Sequence, residues 1–229
     1  MPFPMVPASG IQLVAFDVDG TLVEHDDSEV IWQVLNRRFI GDSSINQGRY
    51  QAYLDGTLTY AQWVELDMSG WRDGGATRIS IEAAIREELR LVPFAEHVVH
   101  ELARRGYVVA IVSGTLDIVL DVLFPDHPFA HVFTNRIRFD EAGGIEGWQA
   151  TPFDMDGKAE ALMLLSQQLS IPTECFAFVG DHLNDRSALA LVGMPVAYDP
   201  KHDDVRNAAR QVIDRGRLDT LLELLPSRI

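Results

Sequence analysis

The 229-residue chain carries 34 acidic against 19 basic side chains, a formal net charge of −15, which argues against sequence-independent binding to nucleic acid or to an anionic membrane surface. Its composition, 47% hydrophobic and 23% charged, is that of a folded globular chain and not of a disordered one. The single cysteine, Cys175, allows no internal disulfide and no cysteine-based metal site, and its position before Phe176-Ala-Phe-Val179 reads as that of a small core residue.

Met1 to Pro7 lacks the basic region and long apolar run of a signal peptide and reads as a loose leader. No later run is long enough to span a bilayer, so a cytoplasmic protein is expected. Ile11 to Phe16 is an apolar run that stops at Asp17-Val18-Asp19-Gly20-Thr21, the pattern of a buried parallel strand feeding a polar loop. Chemistry belongs at the carboxyl end of such a strand. In a catalytic reading Asp17 is a nucleophile or metal ligand and Asp19 its acid–base partner; taken alone, the pentapeptide is equally a solvated Asp-x-Asp-Gly turn.

Beyond Thr21 the periodicity becomes helical. Val30, Ile31, Val34 and Leu35 share one face, with Asp26, Asp27 and Ser28 suited to an N-terminal cap and Gly41 to Ser44 as the break. Further helical pieces run from Tyr60 to Met68 and from Ile79 to Leu91, with breaks at Asp55-Gly56 and Asp73-Gly-Gly75, and no strand is expected between about Val23 and Val92. Pro93 opens a helix to Arg105 that Gly106 ends, and Tyr107 to Val112 reads as a second buried strand, so the α/β alternation resumes there. Residues 24–92 thus read as a helical insertion placed after the first strand's loop, positioned to act as a lid.

Ser113-Gly114 follows the second strand and Leu116 to Leu123 is helical. Val132 to Phe139 and Gly147 to Ala150 flank a turn at Asp140 to Gly144, a hairpin at the sheet edge or a small flap. Lys158 starts a helix that runs from Ala159 to Leu169, and Phe176 to Val179 forms a third core strand capped by Gly180-Asp181-His182-Leu183-Asn184-Asp185. A helix from Arg186 to Leu191, strands at Pro195 to Tyr198 and Gln211 to Ile213, and a closing helix from Leu218 to Leu225 complete the chain.

In a parallel sheet the carboxyl ends of the strands lie on one edge, so Asp17, Asp19, Ser113, Asp181, Asn184 and Asp185 converge although far apart in sequence. Carboxylates crowded in one cleft repel, and a hard divalent cation with oxygen ligands relieves that repulsion. Lys158 adds a cation for bound phosphate. Taken singly, Ser113 also fits a helix N-cap, Lys158 a solvated helix start and Asn184 a turn residue.

This ordered set resembles the haloacid dehalogenase superfamily over essentially the whole chain. Asp17 to Thr21 matches the family's Asp-x-Asp-x-Thr motif, Ser113 its second-motif hydroxyl, Lys158 its third-motif lysine, and Gly180 to Asp185 its acidic fourth motif. Within the superfamily it looks like the phosphoserine phosphatases, from the helical insertion after the first motif, Arg105 to Gly114 before Asp117-Ile118, and Gly180-Asp181 with Asn184-Asp185. The resemblance implies a Rossmann-like α/β core of residues 1–23 and 93–229, with a hairpin near 132–150 and a helical cap of residues 24–92. It implies hydrolysis of a small phosphorylated metabolite through an aspartyl-phosphate: Asp17 attacks, Asp19 acts as acid and base, and Ser113, Gly114, Lys158 and Asn184 hold phosphate. Mg²⁺ is implied at Asp17, the backbone carbonyl of Asp19, Asp181 and Asp185.

The chain departs from that pattern in its lid. Asp26 stands nine positions after Asp17, where phosphoserine phosphatases place a Glu, and Asp67 stands where they place the Arg that meets the substrate carboxylate. Arg49, Arg72 or Arg78 is a candidate to replace that cation from another lid position; without such a replacement, an acidic lid suits a substrate bearing an amine, or a polyol. Trp32, Tyr53, Tyr60, Trp63 and Trp71 are expected to pack and not to contact substrate. Phosphoryl transfer to another acceptor, and a catalytically silent binding role, are the competing readings.

Overall fold

The computed structural model describes residues 10–27 and 29–228; the leader at Met1 to Pro7 and the capping position Ser28 lie outside the described residues. β1 (Leu13–Phe16) lies at the centre of a seven-stranded sheet. Its neighbours are β4 (Val108–Leu116) and β7 (Phe176–Gly180), both parallel to it. Outside β7 come β8 (Met194–Tyr198) and β9 (Gln211–Ile213), and outside β4 comes β5 (His131–Phe139), all parallel. β6 (Ile145–Gln149) closes the β4 edge antiparallel to β5, so the expected hairpin is an edge of the main sheet.

Both faces of β1 are buried, which explains its unbroken apolar run. Val14 and Phe16 pack on one face with Val98, Val99 and Leu102 of α5 (Ala95–Arg104). Leu13 and Ala15 pack on the other with Ala161, Leu162 and Leu165 of α7 (Lys158–Leu169) and with Ala188 and Leu189 of α8 (Arg186–Leu191). α6 (Asp117–Leu123), a short α9 (Asp203–Ala208) and a terminal α10 (Leu221–Leu224) preceded by a 3₁₀ turn complete the layers. α9 lies in a stretch that gave no helical expectation, and Cys175 is half-buried at a 3₁₀ turn, not a core residue.

Two corrections concern the stretch after β1. β2 (Val23–His25) and β3 (Leu89–Leu91) pair antiparallel, so two short strands stand where none was expected, and the helix α4 (Arg78–Glu88) ends before Leu89. The chain leaves the core at β2, forms α1 (Ile31–Leu35), α2 (Ile45–Leu54), α3 (Tyr60–Asp73) and α4, and returns beside its exit at β3. The N-cap of α1 is Val30, whose backbone N–H donates to the Gln33 Oε1 at 3.0 Å, while Asp26 is spent on an ion pair with Arg90. α1 runs into one wide π-type turn, Asn36–Ile40, which ends at Gly41 in the left-handed conformation with φ 88°. That turn buries Asn36, and its Oδ1 accepts the Trp71 indole N–H at 2.7 Å.

Trp71 is fully buried with its ring 5.1 Å from Trp32, so it anchors the four helices in the same apolar cluster as β1. Trp71→Phe keeps most of that packing but leaves the Asn36 carbonyl unpaired, and a loss of about 1–3 kcal/mol is expected in urea unfolding. An unchanged midpoint shows that the Asn36–Trp71 bond contributes nothing.

Candidate active site

The sheet brings the expected residues to one edge. The Asp17 backbone N–H donates to the Val179 carbonyl at 2.9 Å, which continues the β1–β7 ladder by one residue and sets Asp17 beside the end of β7. The chain then turns tightly: the N–H groups of Thr21, Leu22 and Val23 all donate to the Val18 carbonyl. Val18 is buried in the core, whereas Asp17 and Asp19, two positions apart and so on the same side of an extended segment, both line one cavity. Gly20 makes this possible with φ 86°, and a Cβ there would run into the Asp181 carboxylate.

At the end of β7, the Asp185 Oδ2 accepts the backbone N–H groups of Asp181 at 2.8 Å and His182 at 3.0 Å, so Asp185 shapes the loop that carries Asp181. The Thr21 hydroxyl donates to the Asp181 Oδ1 at 3.2 Å. Lys158, fully buried at the first turn of α7, lies 2.9 Å from Asp17 Oδ1 and 2.7 Å from Asp185 Oδ1. The expectation of a solvated lysine is therefore excluded. Ser113 belongs to β4 and not to a helix cap; its Oγ accepts the Thr115 N–H at 3.1 Å, which leaves the hydroxyl proton for another acceptor.

Burial and charge together set the protonation of these groups. Burial, reinforced by Asp17, pushes Asp19 up to about 7. Burial also raises Asp181 well above the usual carboxylate range, with Asp17 and Asp185 adding to it. Asp185 is raised to about 6 by burial despite the opposing pull of Lys158. Burial alone would lower Lys158, but Asp17 and then Asp185 reverse this and hold it above its ordinary value. The oxygens of Asp17, Asp181 and Asp185 lie within 4.8 Å of one another, a set of three buried hard ligands.

Asp154, Asn135 and Glu29 escaped sequence reading. Asp154 is buried beside the cavity and takes the Asn184 Nδ2 donor at 3.0 Å, so the amide of Asn184 holds Asp154 and not Asp17. The Asp154 carboxylate also occupies the space that a Cβ at position 114 would fill, the steric reason for Gly114. The Gly114 carbonyl accepts the Trp32 indole N–H at 2.9 Å and the Asn135 amide at 2.7 Å, and the same Asn135 Nδ2 donates to the Tyr60 hydroxyl at 2.7 Å. The only available signal for Asp154 was its place four residues before Lys158.

The cavity over these groups measures about 620 Å³, and Tyr50, Tyr60, Trp32 and Trp63 line it from the helices. The two acidic positions singled out in the sequence do not line it, whereas Trp32, Tyr60 and Trp63, expected only to pack, do. Asp67 is buried against Arg49, and Asp26 is exposed and bound to Arg90, so neither acid lines the cavity; the acids that do line it from the β2–α1 segment are Glu24 and Glu29.

The chain matches the model of the haloacid dehalogenase-like hydrolases over residues 11–193. It belongs to that family. Among curated proteins it is 29% identical over 215 residues to a phosphoserine phosphatase of Mycobacterium tuberculosis, covering 93% of this chain and 50% of that one, so it spans half that relative's length. It is 28% identical over 192 residues to the phosphoserine phosphatase of Methanocaldococcus jannaschii, covering 82% of this chain and 85% of that one. A structure described as a phospho-aspartyl intermediate analogue of phosphoserine phosphatase superposes with TM-score 0.73 at 24% identity, covering 94% of this chain and 99% of that one. A haloacid dehalogenase family hydrolase from Salmonella enterica gives 0.76 at 23% identity, covering 98% and 74%. At these identities the structural likeness is one of fold, the phosphoserine phosphatase-like α/β fold. No helix among the described residues is long and apolar enough to cross a membrane.

Carboxyl groups raised to about 6 and 7 against an ordinary value of about 3.9 bind protons in the folded state that the unfolded chain has released. The stability they contribute is present below the ordinary carboxylate range and is lost as pH rises through about 6 and 7. The thermal midpoint of the cation-free protein is therefore expected to fall between pH 5 and 8, with a shallower fall in Asp19→Asn, and saturating Mg²⁺ at pH 8 to restore part of the loss. A midpoint indifferent to Mg²⁺ at pH 8 removes Asp17, Asp181 and Asp185 as a ligand set.

Proposed function

We propose that this protein is a Mg²⁺-dependent phosphatase that hydrolyses a small phosphate monoester through an aspartyl-phosphate on Asp17, with residues 24–92 as the lid and residues 1–23 and 93–229 as the core. The observation that carries this reading is the difference between two neighbouring carboxyl groups. Asp17 is ion-paired with buried Lys158, whereas Asp19 is raised to about 7 by burial and by Asp17, a range in which it both gives and takes a proton near neutral pH. Such a split in environment assigns one group to attack and the other to proton transfer.

In the first step an Asp17 carboxylate oxygen bonds to phosphorus and the ester P–O bond breaks. Asp19 delivers its proton to the departing alcohol oxygen, which leaves neutral. In the second step Asp19, now ionised, takes a proton from water; the water oxygen bonds to phosphorus and the P–O bond to Asp17 breaks, releasing inorganic phosphate. Lys158, the Ser113 hydroxyl and the Gly114 backbone hold the phosphate oxygens, and Asn184 contributes by fixing Asp154 at the cavity wall. The all-oxygen set of Asp17, Asp181 and Asp185, with the Asp19 backbone carbonyl, fits a hard divalent cation, which when bound neutralises charge on the phosphate. The names of the relatives point to a small phosphorylated metabolite as the substrate class.

Inorganic phosphate release is expected from a panel of small phosphomonoesters with Mg²⁺, to be lost in Asp17→Asn and to be unaffected by added alcohol acceptors. Release that survives Asp17→Asn overturns the mechanism, and transfer to an acceptor at the expense of release makes the enzyme a phosphotransferase. Asp19→Asn is expected to slow phosphate release from alkyl phosphates by about 10²–10⁴-fold, whereas the first-turnover burst of p-nitrophenol from p-nitrophenyl phosphate, whose leaving group needs no proton, is slowed much less.

A further inference from the structure

The cavity is far larger than a phosphate group, and what surrounds the remaining space indicates what the ester's alcohol carries. Trp63 of α3 is ringed by Tyr50, Tyr53 and Tyr60, with ring centroids at 6.2, 6.4 and 6.2 Å. Tyr50, Tyr60, Trp63 and Trp32 all line the cavity. The polar atoms of two of them are committed to the core, the Trp32 N–H to the Gly114 carbonyl and the Tyr60 oxygen to the Asn135 amide. What these side chains offer a ligand is therefore mainly aromatic surface.

Charge on the same walls is one-sided. Glu24, Glu29 and Asp154 line the cavity in addition to the carboxylates beside Lys158. The cationic side chains in the lining, Lys201 and Arg215, are already bonded to Asp199 at 2.6 Å and to Glu24 at 2.8 Å. Arg37, the partner of Glu29, is shared with Glu88. The three lid arginines that would be expected to receive a substrate carboxylate are occupied elsewhere: Arg49 by Asp67, Arg72 over the Trp148 ring at 5.2 Å, and Arg78 by Glu82 at 2.9 Å. None of the three lines the cavity.

Aromatic walls in a negative field attract organic cations, and a cavity whose lining lysine and arginine each face a carboxylate of their own disfavours a further carboxylate. Building on the phosphatase reading above, we propose that this site selects phosphate esters of small alkylammonium alcohols over neutral esters and over esters bearing a carboxylate. Trp63 and Tyr50 are the specificity-determining residues, holding the ammonium end while the phosphate lies against Ser113 and Lys158.

The test compares kcat/KM for phosphocholine and phosphoethanolamine with that for phosphoserine and for 3,3-dimethylbutyl phosphate, the neutral isostere of phosphocholine. A preference of about tenfold or more for the cationic esters is expected, shrinking in Trp63→Leu and Tyr50→Leu and returning in Trp63→Phe. In parallel, binding of choline and of 3,3-dimethylbutanol is followed by tryptophan fluorescence, a readout that needs no turnover. If p-nitrophenyl phosphate is hydrolysed but cationic and neutral esters are used equally, the inference fails and the phosphatase reading stands. If no ester is hydrolysed, tighter binding of choline than of its isostere sustains the inference without that reading, and equal binding overturns it.

Discussion

The fold is organised around a lysine that cannot be buried alone. Lys158 is fully enclosed, and an unpaired ammonium there would cost several kcal/mol of lost hydration. Asp17 and Asp185 offset that cost from two different strand ends, at 2.9 and 2.7 Å. The consequence is that β1, β7 and the start of α7 must dock in one register, since a slip of either strand would leave the charge uncompensated. The same pair explains the excess of negative charge. With Asp181 beside them, three carboxylates face one ammonium, and the formal surplus of two negative charges is the charge a divalent cation supplies.

The second constraint is steric. Asp154 fills the space a side chain would need at position 114, and Asp181 does so at position 20, so two glycines are dictated by carboxylates and not by turn geometry alone. Each glycine lets an acidic group approach the backbone closely, and each approach draws the cavity walls toward Asp17. Asn184 and Thr21 then hold these acids by hydrogen bonds, which removes their freedom to turn away from the site. Preorganisation of this kind lets dipoles act on a reacting group without reorganising.

The strand-end residues were legible because a buried parallel strand writes its own signature: an apolar run ending in a polar group. Asp17, Ser113 and Asp181 all follow such runs, and the rule that parallel strands share a carboxyl edge joins them. The three-residue strands Val23–His25 and Leu89–Leu91 were not legible, since so short a strand shows no alternation and Leu89 to Leu91 extends the apolar periodicity of α4. Asp154 and Glu29 were missed for a different reason. Neither follows a core strand, and what brings them to the cavity is tertiary packing, for which the sequence offers at most the nearness of Asp154 to Lys158.

The helical insertion shows most clearly how residues placed by sequence position can mislead about their environment. Asp67 in place of an arginine reads as a reversed charge over the cleft, yet its carboxyl lies in the lid interior, held above its ordinary value by burial and opposed by Arg49. Asp67 therefore adds no anion to the cavity and instead pairs with Arg49. Because an ion pair buried among helices is costly to break, Arg49 is not free to swing toward a ligand. The aromatic residues behave in the opposite sense: Trp71 only packs, but Trp32 and Trp63 pack on one side and face the cavity on the other. What Trp32 and Trp63 present to the cavity is set by how the helices pack around them, a property of the fold that no single residue type declares.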